Sequence, residues 1–515
     1  MADSSSEDSA EGSNRGRSRM ELLVGWFDRR LGLSYQLLRP APQYSINPFY
    51  WLGALAVVAF VIQGITGVMM MLYYVPSPSQ AYSTTQYIFQ NVSYGTFLET
   101  VHLYTAYAMI MLTFMHLMRG YFVSVHKKPR EIMWVVGMLM GFVTLGFGFT
   151  GYLLPWTVVS KSATDVGLGM IQALPPPFSS FLTFLIVGSA GDAAELLRFY
   201  DLHVVILPAV LLVLLGVKMY MLETHGVSEP VTGPQSPEKR KLVPIFPDVS
   251  FYLFELAAIF GTAILLISVA FPLNLPPEYS AAVAGQYTAQ PDWYFLWIYQ
   301  ILKISAFEEA GIPVALSAIT LIFVALVLLP FIDRGDDRAI TRRIRYVTLG
   351  GIFVAEVAVL AVWGYLTPGQ VIPNEQAAVI LGGTALLVML GSTLLYKMLF
   401  RGLGEIGIRP SSGDIEGKVG LSGAEQSALR SASVWTAGIF VTLLGLGTFS
   451  ISLEINAVVA LVMEGVSTQV LTSVALASIG LFAAVAGASY FLYRLDLPTG
   501  RIRRKVRAFE FGWNK

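Results

Sequence analysis

The stretch TVHLYTAYAMIMLTFMHLMRG, Thr100–Gly120, carries His102 and His116 fourteen residues apart in an otherwise apolar run. Imidazole is rare in such a run, because a polar ring in hydrocarbon must be coordinated or hydrogen-bonded. Fourteen residues of α-helix rise ~21 Å and turn ~1400°, within about 40° of whole turns. Both rings therefore leave the same face of one helix at two depths. His203 opens a second apolar run, LHVVILPAVLLVLLGVKMYML (202–222), whose matching position holds Lys218. Pro208, five residues after His203, predicts a kink there, so the ligand interval on this run need not equal fourteen. Two facing helices with ligands at matching depths hold two stacked metal centres, and the pattern reads as a two-haem electron wire across a membrane. Three buried histidines satisfied by neighbouring hydroxyls would leave the interval unexplained.

The glycines repeat the interval. Gly53 and Gly67 are fourteen residues apart on the apolar run before Thr100, and Gly137 and Gly151 are fourteen apart on the run after Gly120. Glycine lets a flat, bulky ring approach a helix backbone closely. The two pairs point to porphyrin edges at the same two depths.

Composition agrees with a polytopic membrane protein. The 515 residues are 55% hydrophobic and only 13% charged, with a mean hydropathy of +0.61, far from the soluble globular range. Lys+Arg and Asp+Glu both number 34, so charge gives no reason to expect a nucleic-acid partner. The absence of cysteine excludes disulfides, iron–sulfur ligation by this chain and thioether-linked haem. Any haem is therefore bound non-covalently.

Apolar runs long enough to cross roughly 30 Å of hydrocarbon fall near 49–75, 97–123, 132–155, 200–222, 250–272, 314–333, 345–366, 376–399, 433–453 and 467–493. Loop charge tests that count. Alternate connections are basic: the tail before Asn47, His126–Arg130, Lys239–Lys241, Arg334–Arg345, Arg401–Arg430 and Arg501–Arg507. On the opposite side Val75–Glu99, Thr367–Gln376 and Glu454–Gln469 contain no Lys or Arg, and the two longer loops hold only Lys161, Arg198 and Lys303. Ten spans in a prokaryotic cell membrane, with both termini cytoplasmic, fit this alternation. The polar segment before Met20 reads as a disordered tail, and Met20–Leu33 as an interfacial amphipathic helix or a short soluble one. Two outer loops, Thr157–Phe199 and Pro272–Pro313, are too long for simple turns. The second contains PDWYFLWIYQILK (Pro291–Lys303), whose aromatic density predicts an ordered segment at the membrane surface.

Specific motifs now add to the pattern: NPFYWLG (Asn47–Gly53), QGITG (Gln63–Gly67), HLMRG (His116–Gly120), KKPRE (Lys127–Glu131), TGYLLPW (Thr150–Trp156), RFYDLH (Arg198–His203) and PDWY (Pro291–Tyr294). In this order, across roughly 45–368, they resemble cytochrome b of the quinol-oxidising bc and bf complexes. The first half is similar to the bf-type cytochrome b and the middle to its subunit IV, fused in one chain. The region beyond about 400 matches nothing in that pattern.

The resemblance implies two b-type haems, the outer one on His102 and His203, the inner one on His116 and position 218. It implies propionate contacts from Arg119 and Arg198. It also implies quinol oxidation at the outer face, with Asp292, Tyr294, Tyr299 and Tyr152 around the substrate. Implied partners are a separate Rieske iron–sulfur protein, a cytochrome c or other soluble or membrane electron acceptor, a second copy of the chain in a homodimer, and membrane lipid. Four departures stand out. Leu103 replaces a common Arg, Trp51 replaces the Cys that holds an extra covalent haem in bf-type relatives, and Lys218 replaces a haem-ligating His. Asp292 replaces Glu, shortening the proton acceptor by one methylene.

The expected architecture is an all-α, polytopic transmembrane helical bundle. A tail and interfacial helix (1–45) precede a four-helix haem-binding bundle (46–226). A subunit IV-like three-helix quinone-site region (227–368) and a C-terminal extension of about three spans (369–515) follow. The expected activity is a quinol:electron-acceptor oxidoreductase subunit coupled to proton translocation. Two rival readings are a membrane haem anchor of another oxidoreductase, which would have no reason to carry PDWY, and a polytopic secondary transporter, which would bind no haem.

Overall fold

The computed structural model describes Trp26 and residues 40–405, apart from 189–191, 229–241, 336 and 339–342. The spans expected at 433–453 and 467–493, and the tail and interfacial helix apart from Trp26, lie outside the described residues. Eight of the ten expected spans fall on helices. They are α1 (Leu52–Met71), α2 (Gly95–Phe122), α3 (Glu131–Leu153), α6 (Ala194–His225), α7 (Ser250–Ala270), α9 (Ile312–Val327), α10 (Ile344–Leu366) and α11 (Asn374–Glu405). Seven are long and apolar enough to cross a membrane; α9 is shorter, and a further turn, Leu329–Ile332, extends it. Two outer-loop helices, α4 (Val158–Gln172) and α5 (Phe178–Ile186), precede α6, and α8 (Leu296–Leu302) follows PDWY.

Local chemistry sets these boundaries. Pro155 follows the C-cap residue Leu154 of α3, where its ring and missing N–H keep the helix from continuing. Thr157 and Ser160 form a reciprocal capping box that starts α4. Pro313 occupies the first turn of α9, where its missing N–H costs nothing. Inside the spans, hydroxyls return to the helix: Thr66, Thr144 and Thr150 each donate to the carbonyl four residues back. A donor with no water to bond must be satisfied in this way.

Just before Pro208, where a kink is expected, the helix changes its hydrogen-bonding register. Residues Leu202–Ile206 make a π-helical turn, in which the Leu207 N–H reaches Leu202 O. A π-turn inserts one residue into an α-helix. His203 and Lys218, fifteen residues apart, are thereby brought to the alignment that fourteen residues give His102 and His116.

α1 packs along α2, and α3 along α6, with α2 against α3 closing the bundle. Gly67, His102, Gly151 and His203, the residues expected in the outer half, meet at one end and Gly53, His116, Gly137 and Lys218, expected in the inner half, at the other. Consequently α1 and α3 run opposite to α2 and α6. The second half docks alongside: Phe114 on α2 meets Phe353 on α10, and Trp134 on α3 donates to Leu326 O on α9 at 2.7 Å. A two-stranded antiparallel ribbon, Pro40–Pro42 with Leu242–Pro244 in register Pro40↔Pro244, ties the entry of α1 to the entry of α7.

The PDWY segment is ordered as expected and packs against a neighbouring span. Leu296, Trp297 and Gln300 on α8 are buried against α10, where Gly364 allows the α8 backbone close approach.

Candidate functional site

Each of the four glycines singled out above faces one of the four expected ligands. A Cβ built on Gly67 would lie 3.5 Å from His102 Cε1, and one on Gly151 2.5 Å from His203 Cε1. In the other layer, a Cβ on Gly53 would lie 3.0 Å from His116 Cε1 and one on Gly137 2.7 Å from Lys218 Nζ. The bundle thus holds two slots, each bounded by two glycine backbones and two nitrogen-bearing side chains.

In the outer slot the imidazoles face each other, centroids 6.4 Å apart and planes at 61°. A metal bound at roughly 2.0–2.1 Å by one nitrogen of each ring needs a separation of that size. Hydrogen bonding fixes which nitrogens are available. Thr66 Oγ1 donates its one proton to Ile62 O at 2.8 Å, so at 2.8 Å from His102 Nδ1 it accepts from the ring N–H. Thr150 does the same, donating to Gly146 O at 2.8 Å and accepting from His203 Nδ1 at 3.1 Å. Both Nε2 lone pairs are left free, the tautomer a metal-ligating histidine needs. The donor set fits a bis-imidazole haem. In the inner slot His116 Nδ1 is buried with no hydrogen-bond partner among the described residues, and Lys218 offers an amine. That set fits a haem held by one imidazole and one amine.

A second site lies on the other side of α3. A cavity of about 400 Å³ is lined by Phe149 and Tyr152 of α3, Thr164 of α4, and Asp292, Tyr294 and Tyr299. All four residues expected around the substrate are therefore brought together. The Asp292 carboxylate accepts from Tyr107 Oη at 2.7 Å through Oδ2 and from the Trp293 N–H at 2.8 Å through Oδ1. Burial raises its pKa above the ordinary carboxylate value, although both hydrogen bonds pull it back down. Tyr294 donates to Gly148 O at 3.1 Å, with its ring over the Gly148 backbone. Burial first, then the nearby Asp292, push that phenol far above its ordinary value, so it stays protonated. Tyr299 donates to Ala289 O at 2.9 Å and lies under the Lys303 ammonium, 4.8 Å from the ring centroid.

The two arginines are placed differently from one another. Arg119 sits at the inner end of α2 with its guanidinium carbon 4.0 Å above the Tyr50 ring. Arg198 donates to the Phe184 and Leu185 carbonyls at the end of α5, so a propionate there would share its guanidinium. Trp51, at the inner end of α1, donates to Ser45 O at 2.7 Å.

With these sites in place, comparison with known proteins is decisive. The model for "Cytochrome b(N-terminal)/b6/petB" matches residues 107–281, and that for "Cytochrome b(C-terminal)/b6/petD" matches 286–389. The cytochrome bc complex cytochrome b subunit of Chlorobaculum thiosulfatiphilum is 31% identical over 325 residues, 62% of this chain and 75% of that protein. Cytochrome b of Sulfolobus acidocaldarius is 31% identical over 395 residues, 70% of this chain and 68% of that one. The chain belongs to the cytochrome b family. It is the cytochrome b subunit of a bc-type quinol oxidoreductase complex, a multi-pass membrane protein whose family binds haem b. A solved hyperthermophilic respiratory Complex III shares the fold, with TM-score 0.58 and 24% identity, over 73% of this chain and 98% of that one.

Sequence reading missed three features of this cytochrome b. Thr66 and Thr150 had a signal: both outer-slot glycines follow a threonine, whereas Gly53 and Gly137 follow Leu52 and Val136. Tyr107, the partner of Asp292, had none, because the contact joins residues 185 apart. His126 reads as a loop histidine but is fully buried, 2.9 Å from Asp333 Oδ2. Lys127 Nζ lies 3.1 Å from Asp333 Oδ1, and Arg343 contacts both Asp333 and Ser124.

Proposed function

We propose that this cytochrome b oxidises quinol in the cavity beside α3 and holds two b-type haems in the paired slots. Haem bound there would supply reversible one-electron chemistry at two membrane depths. His102 and His203 would hold the outer haem and His116 and Lys218 the inner one, where the Lys218 amine would have to be deprotonated to act as a ligand. Asp292 accepts a quinol proton at the cavity wall, Tyr152 and Tyr299 shape that wall, and Tyr294 anchors the loop to α3. Arg119 and Arg198 are the propionate partners of the inner and outer haems. The other quinol electron leaves to a Rieske protein in a separate chain and onward to a cytochrome c or similar acceptor. The complex is a homodimer in a prokaryotic cell membrane, with both termini cytoplasmic, and the domain boundaries are those read from the sequence.

The observation that carries this reading is α3 itself. Thr150 and Gly151 turn to His203, while Phe149 and Tyr152 turn to the cavity. Substrate site and outer ligand slot are one helix apart. The test is a reduced-minus-oxidised spectrum of the purified complex, recorded after quinol addition. Two b-type signals reduced by quinol are expected. In Asp292→Asn both signals should persist on chemical reduction, while quinol oxidation slows ~100-fold or more, the usual weight of a general base. Loss of either haem in that variant would refute the acid–base assignment.

A further inference from the structure

Tyr107 is outside the cavity wall, yet it is the one residue of another helix that hydrogen-bonds the Asp292 carboxylate among the described contacts. The bond to Oδ1 comes from the adjacent Trp293 amide and moves with the loop. The bond to Oδ2 comes from α2 and fixes the carboxylate against the helix that bears His102. The phenol is itself held. Its ring lies edge-on to Trp293, centroids 6.1 Å apart at 79°, and tilted against Tyr294 at 6.3 Å and 59°. Five residues after His102, it leaves α2 about 140° around the axis from that ligand, and helical side chains lean towards the N-terminus, here the outer end. One helix therefore carries a haem ligand on one face and, on another, a donor to the carboxylate at the substrate cavity.

Aspartate has a short side chain and cannot reach far to choose its own hydrogen bonds. We propose that Tyr107 is a positioning residue for quinol oxidation, which holds the Asp292 carboxylate ionised and aimed at the cavity. The proposal rests on the reading of Asp292 as proton acceptor and goes beyond it, because Tyr107 touches neither the cavity nor a ligand slot. Each carboxylate oxygen has two lone-pair sites. With Tyr107 and Trp293 using one on each oxygen, the others remain for the quinol hydroxyl, whose proton passes to Asp292. The groups facing the carboxylate are phenols: Tyr107 from α2, Tyr152 from α3, and Tyr294 and Tyr299 from its own segment. A donated hydrogen bond to the charged form favours it, in line with the downward pull of Tyr107 on Asp292.

The test is the pH profile of quinol oxidation by the haem-loaded complex carrying Tyr107→Phe. The base must be ionised to accept a proton, so activity falls below its pKa. Removing the phenol hydroxyl should move that acid limb upward by about one pH unit, the weight of a hydrogen bond to a charged group. The quinol KM and the rate on the alkaline plateau should stay within about twofold, since the cavity wall is unchanged. Tyr104→Phe is the matched control: its hydroxyl donates to Phe271 O at 2.8 Å, and its loss should leave the limb in place. An unmoved limb in Tyr107→Phe, or an equal shift in Tyr104→Phe, overturns the proposal. If turnover of Tyr107→Phe is too slow to profile, the infrared carboxyl band that disappears in Asp292→Asn serves instead. It should titrate at higher pH in Tyr107→Phe, and an unchanged titration refutes the positioning role. Full activity of Asp292→Asn would instead refute the underlying proton-acceptor reading, which separates the two failures.

Discussion

Gly151 and His203 occupy a shared space: a methyl group at 151 would come within 2.5 Å of His203 Cε1. An imidazole on a π-turn has little freedom to retreat, so Gly151→Ala should displace the ring and strip the outer haem. At Gly67 the same addition meets His102 Cε1 at 3.5 Å, an ordinary contact. At Gly137 it meets the tip of a flexible lysine. Haem content per protein, measured after purification, should therefore fall most in Gly151→Ala, less in Gly53→Ala and least in Gly67→Ala. Equal losses across the series would mean that the ring contacts do not control the slots.

Thr66 and Thr150 fix the tautomers of His102 and His203, and Thr→Val keeps their volume while deleting the acceptor. Loss of such a partner weakens metal-site affinity by roughly 10–100-fold. Thr66→Val should release the outer haem first in a detergent or chelator challenge and shift its midpoint potential, with the inner signal unmoved. An unchanged outer haem in the Thr66→Val, Thr150→Val double variant would assign those hydroxyls to helix bonding alone.

Lys218 meets Gly137 as His203 meets Gly151, and this makes a spectroscopic prediction. The native protein should give two distinct low-spin signatures, one bis-imidazole and one imidazole–amine. Lys218→His should convert the second to the first type, and Lys218→Met should change the inner potential alone. Two identical bis-imidazole signals in the native complex would exclude the amine.

The buried inner cluster around Asp333 predicts acid sensitivity. Burial alone would raise the Asp333 carboxyl, but hydrogen bonds from His126 and Lys127 and the charges of Arg343 and Lys127 bring it below the ordinary carboxylate range. Burial is the largest effect on His126 and pushes it down to about 4, against the upward pull of Asp333. Both groups bind protons more weakly folded than unfolded, so their contribution is complete above the unfolded histidine value of ~6.5. It is lost as pH falls towards about 4 for His126 and through the lower folded value of Asp333. Thermal inactivation of the complex should steepen between those limits, and His126→Phe should flatten the upper part of that dependence. A slope unaffected by His126→Phe would locate the acid sensitivity elsewhere.

Much of the four-helix bundle was legible because its paired residues recur at a fixed helical interval. His102, His116 and the paired glycines obey it directly. Lys218 obeys it only through the π-turn at Leu202–Ile206, whose one-residue correction Pro208 hinted at but could not specify. The cavity was legible through local motifs, since TGYLLPW and PDWY each deliver residues to it. The Tyr107–Asp292 bond was not, and neither was the His126–Asp333 cluster, because each joins segments about two hundred residues apart that only packing brings together. The buried setting of α8 was missed for a related reason. Aromatic density predicts an ordered segment but names no packing partner, and the close contact comes from Gly364 on a distant helix.

Because α3 is a party wall between the cavity and the His102–His203 slot, a change on one of its faces reaches the other. A substitution at Phe149 or Tyr152 that admits a bulkier quinol also leans on Thr150 and Gly151, and through them on the tautomer and seat of His203. Under the proposed function, a variant with a reshaped cavity should therefore also show a shifted potential at the His102–His203 slot.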